Sequence, residues 1–365
     1  MGGGTPDTTV QEYWNGGIQW FTPSEIGKNK YIDKSERTIT QDGLNNSSAK
    51  VLPINTILLS TRATIGESSI AKTECCTNQG FQSLIANEEI TCYEYLYYLV
   101  ATLKKELIRK SCGSTFLEIS ANEVRKIKTF IPSLEEQYKV ASLLALLDER
   151  IATQIKIIED LKKLKSAISN RVFSQEPIAW HRLDTLFSKG KAGGTPTSTN
   201  KDYYGGDIPF LSINDITRQG KYISSTENHI SQLGLENSSA WIVPANSLIL
   251  SMYASVGLAT INTIPIATSQ AMFAMQLKNG EDINFLYYYL NYFRYRHIQK
   301  YLETGTQSNI NADIVRGIMI PDYGSARNIE ISNCLLAIDK KIDNESIVLN
   351  NYNGTKQYLL SQMFI

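Results

Sequence analysis

Much of this chain is written twice. Gly4-Thr5-Pro6 opens a stretch containing Tyr13, Ile18 and Ile26, and Gly194-Thr195-Pro196 opens another containing Tyr203, Ile208 and Ile216, about 190 residues further on. The match runs on through Gly43-Leu44 and Gly234-Leu235, Asn46-Ser47-Ser48-Ala49 and Asn237-Ser238-Ser239-Ala240, and Pro53 and Pro244. Ile57-Leu58-Leu59-Ser60 then corresponds to Leu248-Ile249-Leu250-Ser251, Gly66 to Gly257, Gln79 to Gln270, and Val124-Arg125 to Val315-Arg316. A repeat unit of this length can bury a core of its own, so it implies a duplicated domain and not a solenoid module. Two folded units related by a pseudo-twofold axis are expected.

The identities between copies fall at apolar, Gly and Pro positions, while the polar residues between them mostly differ. Ser60-Thr61-Arg62 stands where the second copy has Ser251-Met252-Tyr253, and Asn78-Gln79-Gly80 where it has Ser269-Gln270-Ala271. A shared frame with two different faces suits a protein that grips two unlike halves of one target. Neutral drift of surface residues after duplication explains the same pattern equally well.

From Gly4 to about Pro132, short β-like runs are broken by Gly, Asn, Ser and Pro, with one helix expected over 93–110; the second copy repeats this order, with its helix over 284–302. Each copy therefore reads as an α+β domain. The tyrosines crowded into these helices (Tyr93, Tyr95, Tyr97 and Tyr98; Tyr287, Tyr288, Tyr289 and Tyr292) read as core packing more than as a base-stacking platform, because helical spacing turns part of them inward. After Pro132 a heptad begins. Leu144, Ile151, Ile158 and Val172 fall at a and Leu147, Leu161 and Ile168 at d, interrupted by Gln154 and Lys165. The second copy places Leu335, Ile342, Leu349 and Met363 at a and Ile338, Tyr352 and Leu359 at d, interrupted at the same places by Glu345 and Lys356. Two long helices with apolar stripes must be covered, and antiparallel pairing with each other is expected. A helix of about 35 residues is on the order of 50 Å long, a spacer bar on the scale of one turn of B-DNA between half-sites.

The copies differ at their starts. Trp180-His181-Arg182-Leu183 and Leu186-Phe187 precede the second set of glycines, whereas the first copy begins at its glycines, so an opening element of the first domain is expected to be missing.

The run Trp180, Leu183, Phe187, Gly193-Gly194-Thr195-Pro196, Tyr204-Gly205-Gly206-Asp207-Ile208-Pro209-Phe210-Leu211 and Ile213-Asn214-Asp215-Ile216 resembles the target-recognition domain of type I restriction-modification specificity subunits. Ile57 to Gly66 is similar to that family's strand and turn, and Ile131-Pro132-Ser133-Leu134-Glu135-Glu136-Gln137 to the start of its central helix. In the second copy that start is degenerate, with Ile320-Pro321-Asp322-Tyr323 and Asn328 in its place. The resemblance implies target-recognition domain 1 over 1–132, a central helix over 133–176, target-recognition domain 2 over 177–325 and a C-terminal helix over 326–365. The fold class it implies is α+β, two similar recognition domains separated by two long antiparallel coiled-coil helices. It further implies a non-catalytic subunit that reads a bipartite, asymmetric site in double-stranded DNA. Its implied partners are modification (methyltransferase) subunits, two in number, and restriction subunits.

Direct signs of catalysis are lacking in the sequence. No Asn/Asp-Pro-Pro-aromatic methyltransferase motif, Gly-rich cofactor loop or Walker loop occurs, so no cofactor is expected. The five cysteines form no CxxC pair, and His181, His229 and His297 have no ligand spacing, so no metal site is expected. No apolar segment approaches a membrane span and no signal peptide is visible, which gives a cytoplasmic expectation. Lys plus Arg equals Asp plus Glu, 36 against 36, which argues against a strong stand-alone nucleic-acid binder but not against a subunit whose partners add charge.

Recognition chemistry remains. Arg62 follows an apolar strand, where a guanidinium can donate two bonds to guanine or bind phosphate, and Tyr253 takes its place in the second copy. Ser60, Thr61 and Ser251 flank these positions. Gln79 and Gln270, beside Asn78 and Ser269, suit base edges, although a Gln kept in both copies can equally hold its own loop. Thr115 and Gln307-Ser308-Asn309 follow the helices in Gly-led loops, and Lys28, Lys30, Arg218 and Lys221 are candidates for phosphates, with a plain surface role the stronger reading. The competing class of function is a protein-interaction scaffold with duplicated binding domains, which the neutral charge favours and which steep salt dependence of DNA binding would exclude.

Overall fold

The computed structural model describes residues 1–113, 117–301 and 309–364. The chain divides into two compact units, Met1–Ile155 with Ile347–Ile365, and Lys156–Ser346. Each holds one lobe of strands and short helices together with a segment of each long helix.

In the first lobe one sheet has the order Arg37–Ile39, Trp14–Phe21, Cys75–Thr77, the first pair antiparallel and the second parallel. A second has the order Tyr31–Ile32, Ser68–Ala71, Ile57–Leu59, continued by isolated bridges from Ile57 to Leu84, Ser60 to Phe81 and Gly2 to Gln82. The second lobe repeats both orders with fuller strands: Asn228–Ile230, Tyr204–Leu211, Ile266–Thr268, Ile242–Val243, and Tyr222–Ile223, Ala259–Asn262, Leu248–Ser251, Met272–Leu277, Phe187–Ala192. The duplication is thus one of architecture as well as of sequence.

The run Leu248–Ser251 is buried along its whole length, as a strand covered on both faces requires. Its period of two still sorts its neighbours. Leu248 and Leu250 pack in one cluster with Phe285, Leu286 and Tyr289 of the helix Ile283–Arg296, while Ile249 joins Ile266 and Met272 in another.

The tyrosine-rich helices differ from the sequence expectation at their C-terminal ends. In the first lobe the expected single helix is two, Tyr93–Thr102 and Lys104–Arg109. The Thr102 hydroxyl donates to the Leu99 carbonyl at 2.7 Å, offering that carbonyl an alternative to the regular ladder, and Leu103 between the helices sits at φ −80°, ψ −2°. In the second lobe the helix ends at Arg296 and a 3-10 turn, Ile298–Tyr301, follows. Tyr95, Tyr98, Tyr288 and Tyr289 are buried, so these rings serve packing.

The long helices are Leu134–Phe173 and Ser325–Met363. Every expected seam residue is buried or half-buried, including Gln154, Lys165, Glu345 and Lys356. Within the first unit Asp148 pairs with Lys356, and within the second Lys165 pairs with Asp339, so advancing along one helix means retreating along the other. The pair is antiparallel. At the start of the first helix, buried Gln137 accepts from the Cys92 amide at 3.1 Å and donates to the Ile90 and Pro132 carbonyls at 2.9 Å, tying helix to lobe. Asn328 does related work in the second, accepting from the Tyr323 amide and donating to Asp322.

The opening strands of the second lobe are present: Ala179–Arg182 pairs antiparallel with Met319–Asp322, and Phe187–Ala192 with Met272–Leu277. The stretch of the first lobe that corresponds to Met319–Asp322 is 128–131, which forms no strand and leaves Phe130 88% exposed. Among the described residues, no helix is long and apolar enough to cross a membrane.

Candidate nucleic-acid interface

Three segments converge at one end of each lobe. In the first, the turn 61–66 leaves the buried strand Ile57–Leu59; the Thr61 amide donates to the Gly80 carbonyl at 2.8 Å, and the Ile119 amide donates to the Thr61 carbonyl at 3.1 Å. The second lobe repeats both bonds, Met252 to Ala271 at 2.7 Å and Ile310 to Met252 at 3.0 Å. Arg62 and Gln79 therefore lie on neighbouring segments with Glu118 alongside, as do Tyr253 and Gln270 with Asn309.

The apex of each turn is strained. Ala63 has φ +57°, and Ala254 and Ser255 have φ +34° and +53°, conformations costly for residues with a Cβ that persist where the surroundings impose them. Ser60 and Ser251 supply part of that constraint. The Ser60 hydroxyl donates to the Arg62 carbonyl at 2.8 Å and the Ser251 hydroxyl to the Ser255 carbonyl at 2.7 Å, both from buried positions. The closing glycines have neighbours pressed against them: a Cβ on Gly66 would lie 2.6 Å from Cγ of Lys104, and one on Gly257 would lie 3.2 Å from Cγ of Arg294.

This geometry sorts the candidate residues. Ser60, Thr61 and Ser251 are buried, and their hydroxyls are spent on backbone carbonyls, Ser60 and Ser251 within their own turns and Thr61 on Gly80 of the neighbouring segment at 3.1 Å, so they shape the loops and do not face outward. Asn78 accepts from the Gly80 amide at 2.8 Å and Ser269 from the Ala271 amide at 3.3 Å, each within its own turn. Gln79 accepts from the Thr5 hydroxyl at 2.6 Å, and Gln270 accepts from the Thr195 hydroxyl. Both glutamines thus clamp a Gly-Thr-Pro loop with their carbonyl oxygens, while the residues themselves stay exposed. Arg62 is half-exposed and bonded to Glu118 at 2.8 Å; Tyr253 is exposed at the same place. Arg218 bridges Glu227 and the buried Asp215, at 2.8 and 3.2 Å, and Lys28 is exposed. Thr115, Gln307 and Ser308 lie outside the described residues.

Lys30 and Lys221 need a different account from phosphate binding. Each points inward, donating at 3.0 Å to a tyrosine hydroxyl, Tyr98 for Lys30 and Tyr288 for Lys221, with Nζ 4.6 and 4.2 Å from the centre of the same ring. Burial lowers the pKa of both ammonium groups, that of Lys221 to about 8. Glu118, Lys104 and Arg294, absent from the sequence reading, belong to the convergence; the 190-residue offset linking Lys104 to Arg294 was the available signal.

The chemistry outside the loops is quiet. Burial pushes the Cys75 and Cys76 thiols up to about 12 and about 11, and among the described residues no group of His, Cys, Asp and Glu could hold a metal ion. His297 packs on Phe293 and Tyr292, and His181 lies 3.4 Å from Asp322.

The family described as the type I restriction modification DNA specificity domain matches residues 1–163 and 177–351. The specificity subunit of the MjaIX type I restriction enzyme of Methanocaldococcus jannaschii is 31% identical over 288 residues, 72% of this chain and 66% of the relative. That of the EcoR124I/EcoR124II enzyme of Escherichia coli is 29% identical over 150 residues, 39% of this chain and 37% of the relative. Among solved structures, the S subunit of a type I restriction-modification system from M. genitalium superposes with a TM-score of 0.59 at 15% identity, covering 96% of this chain and 94% of that one. A chain from a structural study of type I system assembly and conformational transition gives 0.61 at 17%, covering 91% and 90%. The chain belongs to the type I restriction-modification DNA specificity family.

Proposed function

We propose that this chain is the non-catalytic, sequence-reading subunit of a type I restriction-modification complex. Residues 1–132 and 177–325 act as its two target-recognition domains, joined through helices at 133–176 and 326–365. Each lobe reads one half of a bipartite, asymmetric site in double-stranded DNA. The chain directs methylation by two modification subunits and cleavage by restriction subunits.

One observation carries this reading: the three-segment convergence is built twice on the same hydrogen bonds, but its outward residues differ, Arg62 and Glu118 on one lobe, Tyr253 and Asn309 on the other. A guanidinium and a phenol offer different donor patterns to a major groove, as two unlike half-sites require. The equal numbers of acidic and basic residues fit a reader that relies on partner subunits for much of its phosphate contact.

The test is to map methylated bases in cells carrying this chain with its modification subunits, then again after residues 177–325 are replaced by the matching segment of a relative. One half of the methylated motif should change and the other persist. Loss of both halves, or DNA binding by the complex that is indifferent to salt, would sink the reading.

A further inference from the structure

The two inward lysines belong to a pair of matching clusters. In the first unit Lys30 donates to the Tyr98 hydroxyl at 3.0 Å, that hydroxyl donates to Asp148 at 2.7 Å, and the other Asp148 oxygen accepts from Lys356 at 2.5 Å. In the second unit Lys221 donates to Tyr288 at 3.0 Å, Tyr288 donates to Asp339 at 2.7 Å, and Lys165 donates to the other Asp339 oxygen at 2.5 Å. The same four residue types recur in the same roles, in a chain whose polar residues otherwise mostly differ between copies.

Each cluster ties together parts that belong to different layers of its unit. The first lysine and the tyrosine come from the lobe, the aspartate from the long helix that follows that lobe in sequence, and the second lysine from the other long helix. Lys356 of the second repeat serves the first lobe and Lys165 of the first repeat serves the second. A cluster closes only when the helices pair in the right register and the lobe is seated at one angle on them. Apolar packing tolerates small rotations, whereas a carboxylate holding two donors at bonding distance from separate elements does not.

We propose that Lys30, Tyr98, Asp148 and Lys356, and likewise Lys221, Tyr288, Asp339 and Lys165, are positioning residues that lock the angle of each lobe on its own stretch of the helix pair. Resting on the bipartite reading above, the lock would also set how strictly the complex rejects a target whose half-sites are displaced. None of the eight side chains need touch DNA. Glu94, 3.7 Å from Lys30, adds a further carboxylate to the first cluster, while Asn284 stands at the corresponding place in the second.

The experiment uses the full chain assembled with its modification subunits, with Cys112 and Cys334 replaced by serine and spin labels attached at 50 and 139, both exposed positions of the first unit. Tyr98→Phe keeps the ring and removes the bonded hydroxyl; the distance distribution should widen by about twofold or more, as expected when one bonded geometry gives way to several. Tyr288→Phe should leave that distance sharp. In parallel, preference for the mapped target over one with an extra base pair between its halves should fall about tenfold in either variant, the scale of one charge-assisted hydrogen bond. An unchanged distribution in Tyr98→Phe overturns the lock, and a widened one with unchanged preference overturns its link to target spacing. If the wild-type complex recognises no two-part target, the functional reading fails while the spin-label distance still decides the lock.

Discussion

In the first lobe the turn after the buried strand holds Arg62 against Glu118, whereas in the second it carries Tyr253 with Asn309 on the segment alongside. Beneath those tips the lobes agree in the backbone bonds that close the turns, Ser60 to the Glu67 carbonyl and Ser251 to the Leu258 carbonyl, both at 2.9 Å, and they share the left-handed alanines Ala63 and Ala254 and the positive-φ pair Asn55 and Asn246. At their edges they part again: the antiparallel pair Ala179–Arg182 and Met319–Asp322 flanks the second lobe without a matching pair among the described residues of the first, and Phe130 stands exposed where Pro321 sits in a strand. The constrained interior and the tips have therefore varied independently. A side chain that has to satisfy a buried strand or a strained turn has few substitutes; one that ends in solvent has many.

The largest effects are expected in the core. Leu58 and Ile249 occupy matching places on the buried central strands, and truncating either to alanine should cost about 2–5 kcal/mol through lost contacts and a cavity. Denaturant unfolding should return similar losses for the two; a loss confined to one lobe would show that the frames are not energetically equivalent.

At the tips the effects should be smaller and should separate the lobes. Arg62→Ala and Tyr253→Ala should each relax selectivity at one half-site only, by about 1–3 kcal/mol if the side chain makes a paired contact to a base edge. Competition binding against targets altered in one half at a time reads this directly. Glu118→Gln should raise affinity for unrelated DNA, because it removes the carboxylate that occupies Arg62.

The lysine clusters should differ in their response to pH. Burial depresses the Lys221 ammonium to about 8, so between about pH 8 and its ordinary value of 10.5 the unfolded chain holds more protons than the folded one, and this group's contribution to stability rises with pH. Tyr98 and Tyr288 act in the opposite sense above pH 10, because burial and the neighbouring carboxylate raise their pKa and the unfolded chain loses its phenolic protons first. Melting curves at pH 7 to 10 should show wild type gaining on Lys221→Met across the upper half of that range. Parallel curves would count against the buried charge. The smallest effect is expected at the exposed edge: Phe130→Ser should change stability by no more than about 0.5 kcal/mol, whereas Ile320→Ala on the paired strand of the second lobe should cost several times as much, both read by thermal melts.

Much of the fold was legible because its signals are apolar and periodic. The offset of Gly-Thr-Pro and Asn-Ser-Ser-Ala announced the duplication, and the heptads interrupted at Gln154 and Lys165, and at Glu345 and Lys356, announced paired helices. The direction of polar side chains was much harder to read. Lys30 and Lys221 read in sequence as surface lysines, with phosphate contact the weaker alternative, because nothing local reveals that tyrosines 68 and 67 residues further on will accept hydrogen bonds from them. Ser60, Thr61 and Ser251 sit beside the outward residues yet are buried, because the turn that follows each strand breaks its alternation and gives their hydroxyls backbone carbonyls to bond: Arg62 for Ser60, Gly80 for Thr61 and Ser255 for Ser251. The sequence did suggest that Lys165 and Lys356 interrupt the seams at equivalent points. It could not show that each interruption exists to reach the other repeat's aspartate.

That exchange has a bearing on ancestry. Because lysine and aspartate trade places between the repeats, two identical single-repeat chains could satisfy every bond of both clusters without a new residue. Joining such genes end to end would keep every one of those bonds, and leave the outward residues of each half free to diverge.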